Sequence, residues 1–172
     1  MTSKYIYLII ICLLLYSLSQ FTGYSTIVFP ISKYKFQPHK SPQRGQIVNP
    51  LSDFDFGNGK WTVYLEISPS DFRNLNPLVT KATCLKTSDI QLLREMKKNW
   101  NFRYSGGDVA TVNSTIYFVK NGRLVFESGI VIDKNMEGLQ GEEYGWLEPI
   151  GKKALSKSAS RFNRVYLPVI FI

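Results

Sequence analysis

Tyr5 to Leu18 reads YIYLIIICLLLYSL, fourteen residues whose only polar member is Ser17. A run of this kind has three possible fates: signal peptide, membrane anchor or buried core helix. A core helix of a soluble domain needs a polar stripe to face water, and this run has none. Its length suits the apolar region of a signal peptide, and Ser17-Leu18-Ser19 puts small residues at the two cleavage-recognition positions. Yet no charge appears between Tyr5 and Ser32, a stretch that includes Ile27, Val28, Phe29 and Ile31 and is long enough to cross a bilayer with some tilt. The expectation is a hydrophobic helix within residues 1–30 acting as signal-anchor or signal peptide, with the membrane as partner of residues 5–29.

Flanking charge bears on orientation. Residues 1–50 carry Lys4, Lys33, Lys35, Lys40 and Arg44 and no acid, five of the formal +8, whereas the rest carry 16 basic and 13 acidic residues, a balance of +3. The excess therefore sits beside the apolar run, where basic side chains meet anionic headgroups, and no recognition motif accompanies it. The chain reads as membrane-associated, with no nucleic acid among its partners. Lysines after the run would hold that side in the cytoplasm, while an apolar region so near the first residue leads export. The reading adopted is a single-pass membrane protein with its domain outside the cytoplasm, or a secreted or periplasmic form after cleavage.

Pro30, Pro38, Pro42 and Pro50 lie among basic and polar residues, so 31–52 reads as a stiff spacer holding a domain of residues 53–172 away from the membrane. His39, the one histidine, falls in that spacer. Within the domain, Asn58-Gly59 and Asn121-Gly122 have the composition of two-residue hairpin turns. Trp61, Val63, Leu65 and Ile67 alternate with polar residues as in a half-buried strand. A two-residue loop at Asn121-Gly122 would pair Val119 with Leu124 and Tyr117 with Phe126 on one face. Ser88-Asp89-Ile90-Gln91 has capping-box spacing, and Ile90, Leu93, Met96 and Trp100 form one helical stripe. Val165 to Ile172 reads as a strand that Pro168 confines to an edge. The fold class expected is α+β: a small antiparallel sheet with two Asn-Gly hairpins against one main amphipathic helix, preceded by the hydrophobic helix.

His39 lies in the spacer, where nothing partners or desolvates its ring for triad chemistry, and a single histidine rules out two-histidine metal sites. Asp53-Phe54-Asp55 opens like a calcium loop, but Gly57 and Tyr64 occupy positions that need ligands. Cys84 has no second cysteine nearby, and Cys12, in lipid or removed by cleavage, is poorly placed to pair with it, so no disulfide is expected. No cofactor, metal or catalytic residue is expected, and a small envelope enzyme built on carboxylates is the minority reading. The favoured reading is a binding or accessory protein, of inhibitor or immunity type, acting through protein–protein recognition; a purely structural envelope role is the third. The binding surface expected is the loop 138–149, where Tyr144 and Trp146 would supply rigid contact area and Glu142 and Glu143 would select a basic partner.

Overall fold

The computed structural model describes residues 3–22, 27–31, 42–107, 111–141, 144–167 and 169–172. Helix α1 (Ser3–Thr22) is followed by β1 (Ile27–Phe29), β2 (Ile47–Val48), β3 (Trp61–Glu66), a 3-10 turn (Pro69–Arg73), β4 (Cys84–Thr87) and helix α2 (Ile90–Asn99). Then come β5 (Phe102–Tyr104), β6 (Ser114–Lys120), β7 (Arg123–Ile132), β8 (Glu137–Gly141), β9 (Gly145–Pro149), helix α3 (Ala154–Ala159), β10 (Asn163–Arg164) and β11 (Val169–Phe171). The class is α+β, with an open antiparallel sheet of nine strands in the order β10-β4-β3-β6-β7-β8-β9-β5-β2. A separate two-stranded ribbon pairs β1 with β11 in parallel.

The centre of the sheet is the β6–β7 hairpin. Asn121 (φ 52°) and Gly122 (φ 76°) both take the positive φ that a tight two-residue turn demands. The register departs from simple alternation. Val119 pairs with Leu124 but Phe118 pairs with Phe126, so Val125 is the extra residue of a bulge. The bulge turns Phe118 and Phe126 together onto the inner face and leaves Tyr117 opposite Glu127 on the outer face, correcting the expected Tyr117–Phe126 pair.

Asn58-Gly59 does not form a hairpin. Only Gly59 has positive φ, and β2 pairs with β5, so no strand precedes the turn to fold back on β3. The turn is instead clasped by the tip of the β6–β7 hairpin: the Lys60 amide donates to Asn121 Oδ1, and the Asn121 amide donates to the Lys60 carbonyl, both at 2.8 Å.

The inner face is covered by α2, α3 and the loop before β3. Asp89 is the residue that caps α2, accepting from the Gln91 and Leu92 amides at 2.9 and 3.2 Å. Ser88, expected in that role, bonds Thr62 instead. Leu92, Leu93 and Met96 are buried beneath α2, and Lys97 donates to the Phe54 carbonyl from its last turn. Trp100 ends the helix in the core and ties it to α3 through Nε1 to Ser158 Oγ, 3.0 Å. Around Phe118 the rings of Phe54, Phe56, Trp100 and Phe126 pack with centroids between 5.5 and 6.4 Å, mostly edge to face.

The region expected to be spacer belongs in part to the fold. Residues 32–41, and His39 with them, lie outside the described residues. β1 precedes them and is paired with β11; β2 follows them inside the large sheet, and Leu51 is fully buried. The domain therefore draws on residues well before Asp53. Pro168 lies outside the described residues; of the stretch Val165 to Ile172 expected as one strand, only Val169–Phe171 is a strand, β11 in the ribbon, while β10 precedes it on the sheet edge.

On the outer face the ribbon lays Val28, Ile170 and Ile172 over Cys84, Tyr117, Val119 and Leu124, making a second, smaller core. Helix α1 projects from this side. From Tyr5 to Leu18 its large apolar side chains, Tyr16 excepted, are each about half exposed or more. Among the described residues no helix is long and apolar enough to cross a membrane.

Candidate functional site

Loop 138–149 is a β-hairpin of the sheet: Leu139 pairs with Leu147, Gln140 with Trp146 and Gly141 with Gly145. Glu142 and Glu143 lie outside the described residues. Tyr144 is only 6% exposed, and its hydroxyl meets Ser128 Oγ at 2.5 Å. Trp146 is only 4% exposed. Both rings lie flat on glycines, since a Cβ added to Gly138 would fall 2.2 Å from the Trp146 indole and one on Gly141 2.8 Å from the Tyr144 ring. Glycine is what allows this close approach. The two aromatics thus fill the sheet's own surface, and they are not the rigid contact area that a recognition loop would offer.

Leu155 and Ser156 amides, at the start of α3, donate to the Glu137 carboxylate at 3.0 and 3.2 Å, which seats α3 against β8. The turn before α3 carries Lys153 at φ 57°, a left-handed conformation that costs a lysine energy and persists only where the surroundings hold it. Open grooves meet at this turn. One, of about 550 Å³, runs between α2 and α3 past Leu92, Asn99, Lys152 and Lys157. The other, of about 370 Å³, runs past Asn76, Lys134, Met136, Trp146, Lys152 and Lys153. Gly151 and Lys152 belong to both, so the trough is continuous around the turn.

Charge along the trough is lopsided. Its acids include Glu137, committed to α3, and Glu95, which forms a short hydrogen-bonded ion pair with Arg161. Arg161 also lies 3.6 Å from Asp89. Lys134, Lys152, Lys153 and Lys157 add four cations, against Glu148 and Asp133 on the same walls. Burial, and then the neighbouring Asp71, raise the Asp133 carboxyl above its ordinary value. One sequence signal points here, the run from Lys152 to Arg164 with five basic residues and no acid, although that composition equally suits a solvated face.

The carboxylate pairs do not make a reaction chamber. Asp71 is held by Ser114 (2.6 Å) and Asn113 (3.2 Å), and the cavity it shares with Asp133 is about 30 Å³, room for a water rather than a substrate. Glu66 accepts from the Tyr117 hydroxyl at 2.9 Å, and Glu127 is raised by burial and then by Glu66. Cys84 is fully buried, and burial, then Glu66, push its thiol up to about 12. It is protonated at neutral pH and is not a nucleophile. Among the described residues no group of three or more histidine, cysteine or acidic side chains is placed to hold a metal ion. No protein-family model, curated protein or solved structure matches the chain.

Proposed function

We propose that this chain is a membrane-tethered binding protein: α1 is the tether, and the lysine-rimmed trough around Gly151–Lys153 recognises an acidic segment of a partner protein. The tether reading is supported by a helix that is apolar and exposed except at Tyr16, a surface that lipid covers better than water does. Attachment through α1 alone, since β1 belongs to the ribbon, with the domain outside the cytoplasm is the arrangement we favour, and a cleaved, exported form keeps the same trough.

The single observation that carries the recognition reading is the open trough whose lysines outnumber the carboxylates left uncommitted on its walls. Its scale suits a peptide segment, and an excess of lysines over free carboxylates favours an acidic one, giving both steering and discrimination. The partner preferred is thus acidic, the reverse of what Glu142 and Glu143 would select.

Affinity capture from detergent-solubilised membranes tests this. The full chain should retain a defined partner, and Lys134→Glu with Lys152→Glu should lose it, while circular dichroism stays native because both side chains are at the surface. Equal recovery by the double variant would refute the trough as the recognition surface.

A further inference from the structure

Most of the large apolar side chains exposed among the described residues lie on α1 and the β1–β11 ribbon; Ile47, Leu78, Met136 and Ile150 lie singly elsewhere. Along the β1–β11 ribbon, side chains alternate between two faces. Val28 and Ile170 point to the sheet and are buried, whereas Phe29, Val169 and Phe171 point the other way. Phe171 is 66% exposed, and Ile31, just past β1, is 74% exposed. Phe29 and Phe171 stack on each other across the ribbon, centroids 5.8 Å apart at 21°. Tyr166 and Leu167, in the approach to β11, are exposed to a similar degree.

This surface is continuous with α1. The Tyr16 hydroxyl, in the second half of the helix, donates to the Tyr166 carbonyl at 2.6 Å, so helix and ribbon are joined side by side. No charged residue occurs in 27–31 or 165–172, and the first charges beyond them are basic, Lys33 on one side and Arg164 on the other. Arg164 lies over the Tyr166 ring at 5.3 Å. Aromatic rings bounded by lysine and arginine are the composition of a membrane–water boundary.

We infer that the outward face of the β1–β11 ribbon is a lipid-seating surface: the domain rests on the bilayer that receives α1, with Phe29, Ile31, Leu167 and Phe171 in its interfacial zone. This rests on the tether reading above and adds to it an orientation. The ribbon covers one face of the sheet and α2 and α3 the other, so the α2–α3 groove is held on the side away from the lipid, open to a partner. A spacer that stands the domain off the membrane is then replaced by direct contact.

The test uses the full chain in phosphatidylcholine–phosphatidylglycerol vesicles, with a nitrobenzoxadiazole label on one cysteine at a time and doxyl-bearing lipids as quenchers. Cys84→Ala leaves native Cys12 as the only thiol; adding Cys12→Ser allows the label to be moved by Phe171→Cys, Ile31→Cys or Asn135→Cys. Expected are loss of most emission at position 171 with shallow quenchers, loss at Cys12 with deep ones, and no loss at position 135, beside the trough. Quenching at Cys12 without quenching at 171 overturns the seating and leaves the tether standing. No quenching at Cys12 overturns both. A blue-shifted but unquenched label at 171 means that another copy covers the ribbon, which also overturns the seating. Leu167→Lys with Phe171→Lys, both at exposed positions, should abolish quenching of a label placed by Ile31→Cys while the chain still sediments with vesicles; undiminished quenching there overturns the proposal.

Discussion

The two faces of the central sheet are built from the same strands and are put to different use. On the inner face Trp61, Val63, Leu65, Leu85, Ile116, Phe118, Phe126 and Ile130 form an apolar layer under α2, in which Ser128 is a buried polar residue bonded to Tyr144. On the outer face the alternate residues are Tyr64, Glu66, Cys84, Lys86, Tyr117 and Glu127, apolar only where the ribbon lands. The comparison separates two roles. The inner face holds the fold together, and the outer face is a mixed surface that must be covered from outside the sheet and so ties the domain to β1 and α1.

Breaking the inner face should have the largest effect. Leu93 is fully buried on α2, so Leu93→Asp places a carboxylate without a partner among rings and aliphatic chains. The cost, several kcal/mol, is comparable to the whole stability of a domain this size, and a thermal melt should show no cooperative transition. A melt close to that of the parent would mean that the inner face does not hold the fold.

Trp146→Ala comes next and decides between packing and recognition for that residue. Its ring lies on Gly138 and is almost wholly buried, so truncation should cost about 3–5 kcal/mol, read in denaturant titration. The ring borders the trough but is only 4% exposed there, so partner capture per folded molecule should be unchanged. A folded variant that has lost its partner would add recognition to the role of Trp146.

The inner face was far more legible in the sequence than the outer one. Trp61, Val63, Leu65 and Ile67 alternate cleanly, Leu93 and Met96 fall on a helical stripe, and Asn121-Gly122 has the composition of its turn. These are local signals, and local signals survive in one sequence. The bulge at Val125 does not show, because Leu124-Val125-Phe126 is apolar whichever residue is unpaired. The β8–β9 hairpin was hidden by its glycines: Gly138, Gly141 and Gly145 read as loop, although two of them make room for Trp146 and Tyr144. The β1–β11 pair joins residues about 140 apart, and no local pattern announces such a pairing. The trough has the same origin, since Lys134 and Lys152 share a wall only once β8 and β9 have formed.

Removing the outer cover should have an intermediate effect. A chain starting at Gly45 lacks α1 and β1, so Val28 no longer shields Cys84, Tyr117 and Val119. The inner core stays whole, and the melt should remain cooperative, weakened by about 1.5–3 kcal/mol for the lost burial. A thiol reagent should then modify Cys84 in the folded domain faster than it does in the longer chain, whose Cys84 is fully buried. Unchanged protection would show that β1 is not the lid.

The smallest effect is a matter of pH and belongs to the outer face alone. Burial first, and then the Glu66 carboxylate, raise Glu127 above its ordinary value of 4.5, so the folded chain holds that proton to higher pH than the unfolded chain does. Between the two values the native state binds more protons, and stability therefore falls as pH rises through that window; below it the penalty is gone. Glu127→Gln should melt slightly higher than the parent at neutral pH, match it in acid, and show a shallower decline across the window. Glu66→Gln removes the same repulsion but gives up the charged acceptor of the Tyr117 hydroxyl, a hydrogen bond to a charged group worth about 1.5–3 kcal/mol where it is buried and less at this half-buried site. Its net effect at neutral pH should therefore be destabilising, opposite in sign to that of Glu127→Gln. Melts of both variants across the acid range that moved in the same direction would show that Glu66 is not what the two side chains share.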